Sequence, residues 1–196
     1  MSDTLTQRIL DAVAADRAAI LDLTRSLVAI PTPNPPGSSY RECVEAIATA
    51  LRALGFDCST LVNPGSAPYQ AGSAPPASDE SPRYFLQSFY GQGTRTLYFH
   101  GHYDVVPAMS AAQFHPFVRD GTLVGRGAAD MKSGLVAMIY AMKAVRDCGI
   151  ALGGRIGLTI VPDEETGGAR GAQYLAQAGV LGRDGIGMPV SYTHLR

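Results

Sequence analysis

Three short glycine-bearing motifs, GHYDVVP at 101–107, GRGAADMKSG at 125–134 and PDEETGG at 162–168, stand just beyond or beside segments of regular apolar spacing. Loops at strand ends are where α/β folds assemble their sites, because a rigid sheet fixes the side chains that the loops present. A chain that gathers a histidine and several acids there is expected to alternate strands and helices. The 22 glycines and 13 prolines among 196 residues agree, being more punctuation than a helical bundle tolerates.

Composition narrows the class further. At 196 residues the chain fits one domain, or one domain and part of a second. Hydrophobic residues make up 46% and charged residues 17%, which argues against disorder and coiled coil. Sixteen basic residues against seventeen acidic leave a net charge of -1, so neither nucleic acid nor an anionic membrane is an expected partner. Cys43, Cys58 and Cys148 are widely spaced and lack a CxxC pair, so buried reduced thiols are expected rather than disulfides or a thiolate zinc site. The longest apolar run, 135–142, is far short of a membrane span, and no basic region precedes an apolar stretch at the start. A cytoplasmic protein is the expectation.

Apolar spacing predicts one long or broken helix over 4–30, ended by PTPNPPG at 31–37, and a second helix over 40–54 with Gly55 as its C-terminal cap. A strand follows at 57–62, then an exposed loop at 63–82 rich in Pro, Ala, Ser and Gly. Two β segments, 83–89 and 94–100, flank Gly91-Gln92-Gly93 and read as hairpin-like. Asp120-Gly121 predicts a tight turn between short strands within 117–124. A helix over 131–145 and a strand over 155–161, running straight into PDEETGG, complete the pattern.

Each motif has an ordinary structural explanation. His102 and Asp104 lie two apart, so in extended chain they share a side, and a carboxylate there can fix an imidazole as it binds a metal; a histidine paired with a local acid has the same appearance. Asp130 stands where a helix begins and could be only an N-cap. Glu164 and Glu165 are adjacent carboxylates that repel unless a cation or hydrogen bonds compensate, which suits metal-assisted hydrolysis but also an exposed loop.

Taken in order, GHxD, GRGxxD and DEExGG form a combination that resembles the di-zinc amidohydrolase and exopeptidase family of acetylornithine deacetylase, succinyl-diaminopimelate desuccinylase, aminoacylase and glutamate-releasing carboxypeptidases. LVAIPTPNPPG at 27–37 is similar to that family's N-terminal signature. The resemblance implies a zinc-exopeptidase-like α/β fold, a mixed sheet flanked by helices. It implies that His102 binds one zinc, Asp130 bridges two, Glu165 binds the other, Glu164 is the general base and Asp104 orients His102. It also implies a cis peptide after Asp130. His100 and His115 match no ligand position and are expected to be structural, and Arg126 to be a loop anchor. Zinc is preferred, with cobalt or manganese as substitutes.

The family's further ligands, an acid some tens of residues beyond the glutamate pair and a late histidine, have no counterpart here. Residues 1–188 are therefore expected to form the N-terminal part of a catalytic domain, incomplete at its C-terminus and without the lid and dimerisation domain. Residues 189–196, PVSYTHLR, resemble translated sequencing adapter and make His194 a poor ligand candidate. The expected substrate is an N-acyl amino acid or small peptide. A homodimer is expected of full-length relatives, and the 196 residues alone are expected to bind metal weakly and turn over little. The competing reading is a non-catalytic α/β fragment or binding module with an incomplete metal site.

Overall fold

The N-terminal helical spacing is interrupted at Asp16, and in a computed structural model, which describes residues 2–63, 82–182 and 185–189, it forms two helices. These are α1 (Ser2–Ala15) and α2 (Arg17–Ala29), followed by α3 (Tyr40–Ala53). Gly55 ends α3 with φ +81° and donates its N–H to the Arg52 carbonyl, as a C-terminal glycine should. The strands are β1 (Cys58–Asn63), β2 (Arg83–Gly91), β3 (Thr96–His102), β4 (Phe117–Arg119), β5 (Thr122–Val124), β6 (Arg155–Val161) and β7 (Gly185–Pro189). Helix α4 (Ser133–Asp147) joins β5 to β6, and the short α5 (Ala172–Gln177) follows β6. Most of the expected loop at 63–82, and residues 190–196 with His194, lie outside the described residues. Pro189, first residue of the expected tail, closes β7 opposite His100.

Five strands form one mixed sheet in the order β1-β2-β6-β3-β7, antiparallel from β1 to β6 and parallel from β6 to β7. The hairpin expected of β2 and β3 is thereby corrected, since β6 lies between them. The glycines at 91–93 serve a close approach instead of a two-strand turn: a Cβ on Gly91 would stand 2.8 Å from the Gly154 carbonyl oxygen. Arg155 N–H donates to the Arg95 carbonyl at 2.9 Å where β6 enters the gap. Asp120 and Gly121, with φ of +49° and +74°, do make the expected tight turn between β4 and β5.

One sheet face carries α2, α3 and α4. Leu27, Ile47, Leu51, Leu135, Ile139 and Met142 pack there on Leu86, Ile156, Leu158 and Ile160, all buried. On the other face Phe85, Val161 and Leu175 form a smaller cluster under α5. Coverage on both faces explains why six of the seven β6 residues are buried.

Two features tie the N-terminal segment to this sheet. Lys132 is fully buried, and its Nζ donates to the Leu27 and Ile30 carbonyls at 2.8 and 2.7 Å, capping the end of α2 with a cation. Residues 32–34 then run beside 103–105: Asn34 N–H donates to the Val105 carbonyl, Val105 N–H to the Thr32 carbonyl, and Thr32 Oγ1 to the Tyr103 carbonyl. The three cysteines are free thiols, with Cys43 and Cys148 buried and Cys58 partly so.

Candidate metal centre

Strands β3 and β6 are parallel neighbours, so the motifs that follow them emerge at the same end of the sheet, with His102 in register with Val161. Gly101 brings the second motif, GRGAADMKSG, to that end. A Cβ there would stand 2.5 Å from Met131 Cε and 2.8 Å from Leu135 Cδ2, so glycine is what admits the start of α4 against β3. His102 N–H donates to Met131 Sδ at 3.2 Å, and the preceding Asp130–Met131 peptide is cis, as the resemblance implies.

The buried His102 ring has two different sides. Its Nδ1 lies 3.0 Å from the Asp104 carbonyl oxygen and 3.3 Å from Asp104 Oδ1, both acceptors, so Nδ1 carries a proton. Its Nε2 faces Asp130 Oδ1 at 3.2 Å and Glu164 Oε2 at 3.7 Å. Ligand atoms of His102, Asp130 and Glu165 all lie within 4.8 Å of one another. Two ligands on one tetrahedral ion stand about 3.4 Å apart, given bonds of about 2.0–2.1 Å, so the His102–Asp130 spacing already fits. One imidazole with two carboxylates is a donor set that suits zinc, cobalt or manganese.

Asp104 is fully buried and holds the two loops together. Besides His102, its carboxylate accepts the N–H groups of Glu164 at 3.3 Å and Glu165 at 3.2 Å, and the Asn34 amide at 3.0 Å. The strand bearing the histidine and the turn bearing the glutamates thus share one buried acceptor. The candidates His102, Asp104, Asp130, Glu164 and Glu165 therefore converge. His100 lies apart, with Nδ1 2.8 Å from Thr159 Oγ1. His115 is exposed, and Arg126 anchors its loop through its backbone N–H to the Gln113 carbonyl.

Sequence reasoning missed the supporting residues. Asn34 reaches across from PTPNPPG to Asp104, Asp163 and Thr166. Arg83 at the start of β2 pairs with Asp163 at 2.8 Å, both side chains about 5% exposed or less. The one local signal was the NPPG turn itself, whose Asn34–Pro35 and Pro35–Pro36 peptides are cis.

Charge in the cluster is unevenly felt. Burial depresses the His102 pKa, but the hydrogen bond and charge of Asp104, with Glu164 and Asp130, outweigh it and raise it to about 9. Burial raises the Glu165 carboxyl pKa, against the pull of His102 and with the help of Asp130. Burial and the neighbouring His102 lower the pKa of His100. In metal-free protein, His102 stability is fully present below its unfolded value of about 6.5 and is lost as pH rises toward 9. His100 acts oppositely, costing stability as pH falls below about 6.5, where the unfolded chain takes a proton that the fold refuses. Urea midpoints in chelator should therefore decline from pH 6.5 to 8.5; a profile flat over that range contradicts this.

Comparison with known proteins agrees with the geometry. Peptidase family M20/M25/M40 matches residues 98–193. The chain is 34% identical over 149 residues to a succinyl-diaminopimelate desuccinylase of Gluconacetobacter diazotrophicus, covering 74% of this chain and 34% of that one. It is 31% identical over 163 residues to an N-formyl-4-amino-5-aminomethyl-2-methylpyrimidine deformylase of Bacillus subtilis, covering 80% and 35%. Human carnosine dipeptidase 1 shares the fold, with a TM-score of 0.70 at 23% identity over 94% of this chain and 41% of that chain. The chain thus spans about a third of the length of these curated relatives. The three motifs lie inside the matched region and converge at one end of the sheet, and over residues 98–193 the chain is similar to peptidase family M20/M25/M40.

Proposed function

We propose that these residues form part of the active site of a zinc-dependent hydrolase that cleaves an amide bond of an N-acyl amino acid or small peptide. The observation that carries this reading is the convergence of His102, Asp130 and Glu165 donor atoms within 4.8 Å, with Glu164 beside them. The relatives' names, a desuccinylase and a deformylase, support removal of a small acyl group from nitrogen. In this reading His102 would hold one zinc and Glu165 the other, with Asp130, whose side chain is 41% exposed, shared between them. The metal supplies Lewis acidity toward the scissile carbonyl and the attacking water.

The chain's own residues handle the protons. Glu164, about 30% exposed beside the cluster, takes a proton from the attacking water and passes it to the leaving nitrogen. Asp104 keeps the His102 proton on Nδ1, leaving Nε2 to coordinate. Products are a carboxylate and a free amine. Among the described residues no helix is long and apolar enough to cross a membrane.

A zinc titration of the 196-residue chain, followed by calorimetry, tests the metal assignment. The expected result is weak uptake, because the donors gathered among the described residues number only three, and its loss when Glu165 is replaced by alanine. No uptake by the wild-type chain overturns the assignment. Hydrolysis of N-acetyl, N-succinyl and dipeptide substrates by protein containing this chain tests the substrate class, and inactivity toward all of them with zinc bound rejects it.

A further inference from the structure

We propose that Asn34 is a positioning residue of the metal centre: its side-chain amide spans Asp104 and the 163–166 turn, and so holds Glu164 and Glu165 against His102. This rests on the metal-site reading above and adds to it a residue from a remote segment. Asn34 is 3% exposed, and its Nδ2 stands 3.0 Å from Asp104 Oδ2, 3.1 Å from Asp163 Oδ1 and 2.9 Å from Thr166 Oγ1. An amide nitrogen carries two hydrogens, enough for one bond to each of the two buried carboxylates, with Thr166 sharing. Asp104 and Asp163 are 0% and 4% exposed, so each needs donors that bring little desolvation cost of their own. A serine at position 34 would offer one donor, and an aspartate would add a third negative charge.

The donor is itself fixed. Asn34 N–H is bonded to the Val105 carbonyl, one residue from Asp104, and α2 before it is pinned by Lys132. Position 34 is thus tied to the segment that carries His102. The turn it grips relies on such contacts: Asp163, Gly167 and Gly168 have φ of +69°, +95° and +71°, a path on which a non-glycine residue is held from outside. Arg83 balances the Asp163 charge at the same oxygen, Oδ1, whereas Asn34 links that turn to Asp104.

Asn34→Leu, near in shape but without donors, tests the assignment. In metal-free protein the Glu164 and Glu165 amides, which donate to Asp104, are expected to exchange with deuterium about tenfold faster relative to β6 amides such as Leu158 and Ile160. Zinc affinity is expected to fall about 10–100-fold. A merely structural asparagine would accelerate exchange at both places in step and leave zinc affinity unchanged, and that result overturns the proposal. Should the wild-type chain bind no zinc, the metal reading fails on its own and the exchange comparison still decides the role of Asn34. If Asn34→Leu does not fold, Thr166→Val at the exposed partner must give the same local pattern at about threefold, and its absence counts against the proposal.

Discussion

Replacing Glu164 by glutamine is expected to lower kcat for amide hydrolysis by about 10²–10⁴-fold, in protein that contains this chain, while zinc uptake stays within a few-fold of wild type. The separation follows from where the side chains point. Ligand atoms of His102, Asp130 and Glu165 lie within 4.8 Å of one another, a set that does not include Glu164, whose Oε2 stands 3.7 Å from His102 Nε2. Glutamine keeps the shape and the backbone N–H that donates to Asp104, and loses only the ability to take and return a proton. Glu165→Gln is the counterpart and should fail in the opposite order, losing metal first. Zinc uptake is read by titration on the 196-residue chain and turnover by amine release. Equal loss of zinc in both variants would show that the two neighbouring glutamates do not divide the work.

How much of this was written in the sequence depends on the range of the interactions. Helix α3, strand β6 and the Asp120-Gly121 turn follow from local spacing and local backbone chemistry, and each lies where the pattern put it. The expected hairpin of β2 and β3 failed because the partner that separates them arrives over fifty residues later, beyond any local signal. The same division holds in the site. His102, Asp130, Glu164 and Glu165 sit in short motifs that can be read one by one. Their supports cannot, because the contacts cross large sequence gaps: 70 residues from Asn34 to Asp104, 129 from Asn34 to Asp163, and 105 from Lys132 to Leu27. Pairing of buried polar groups over such distances is specified by the tertiary fold.

Asp104→Ala is expected to cost about 3–5 kcal/mol of stability, the range for removing one partner of a buried charged network. For a chain of this size each kcal/mol moves the unfolding midpoint by roughly 2–4 °C, so a fall of about 10 °C or more should be seen. The size follows from what the carboxylate satisfies. It accepts from the His102 ring, the Asn34 amide and the N–H groups of Glu164 and Glu165, all gathered at a residue with no exposure. Alanine strands those donors away from water, and it removes the main charge that holds the His102 pKa near 9. Asp104→Asn should recover only part of the loss, since it trades one acceptor oxygen for an NH₂ facing other donors. The control is the Arg41–Glu45 pair on α3, whose side chains are 73% and 63% exposed and whose removal should leave the midpoint unmoved. Because the same carboxylate orients the histidine, zinc affinity should fall with the midpoint, by about 10–100-fold. A variant that melts early yet binds zinc as wild type would confine Asp104 to the core and detach it from the metal centre.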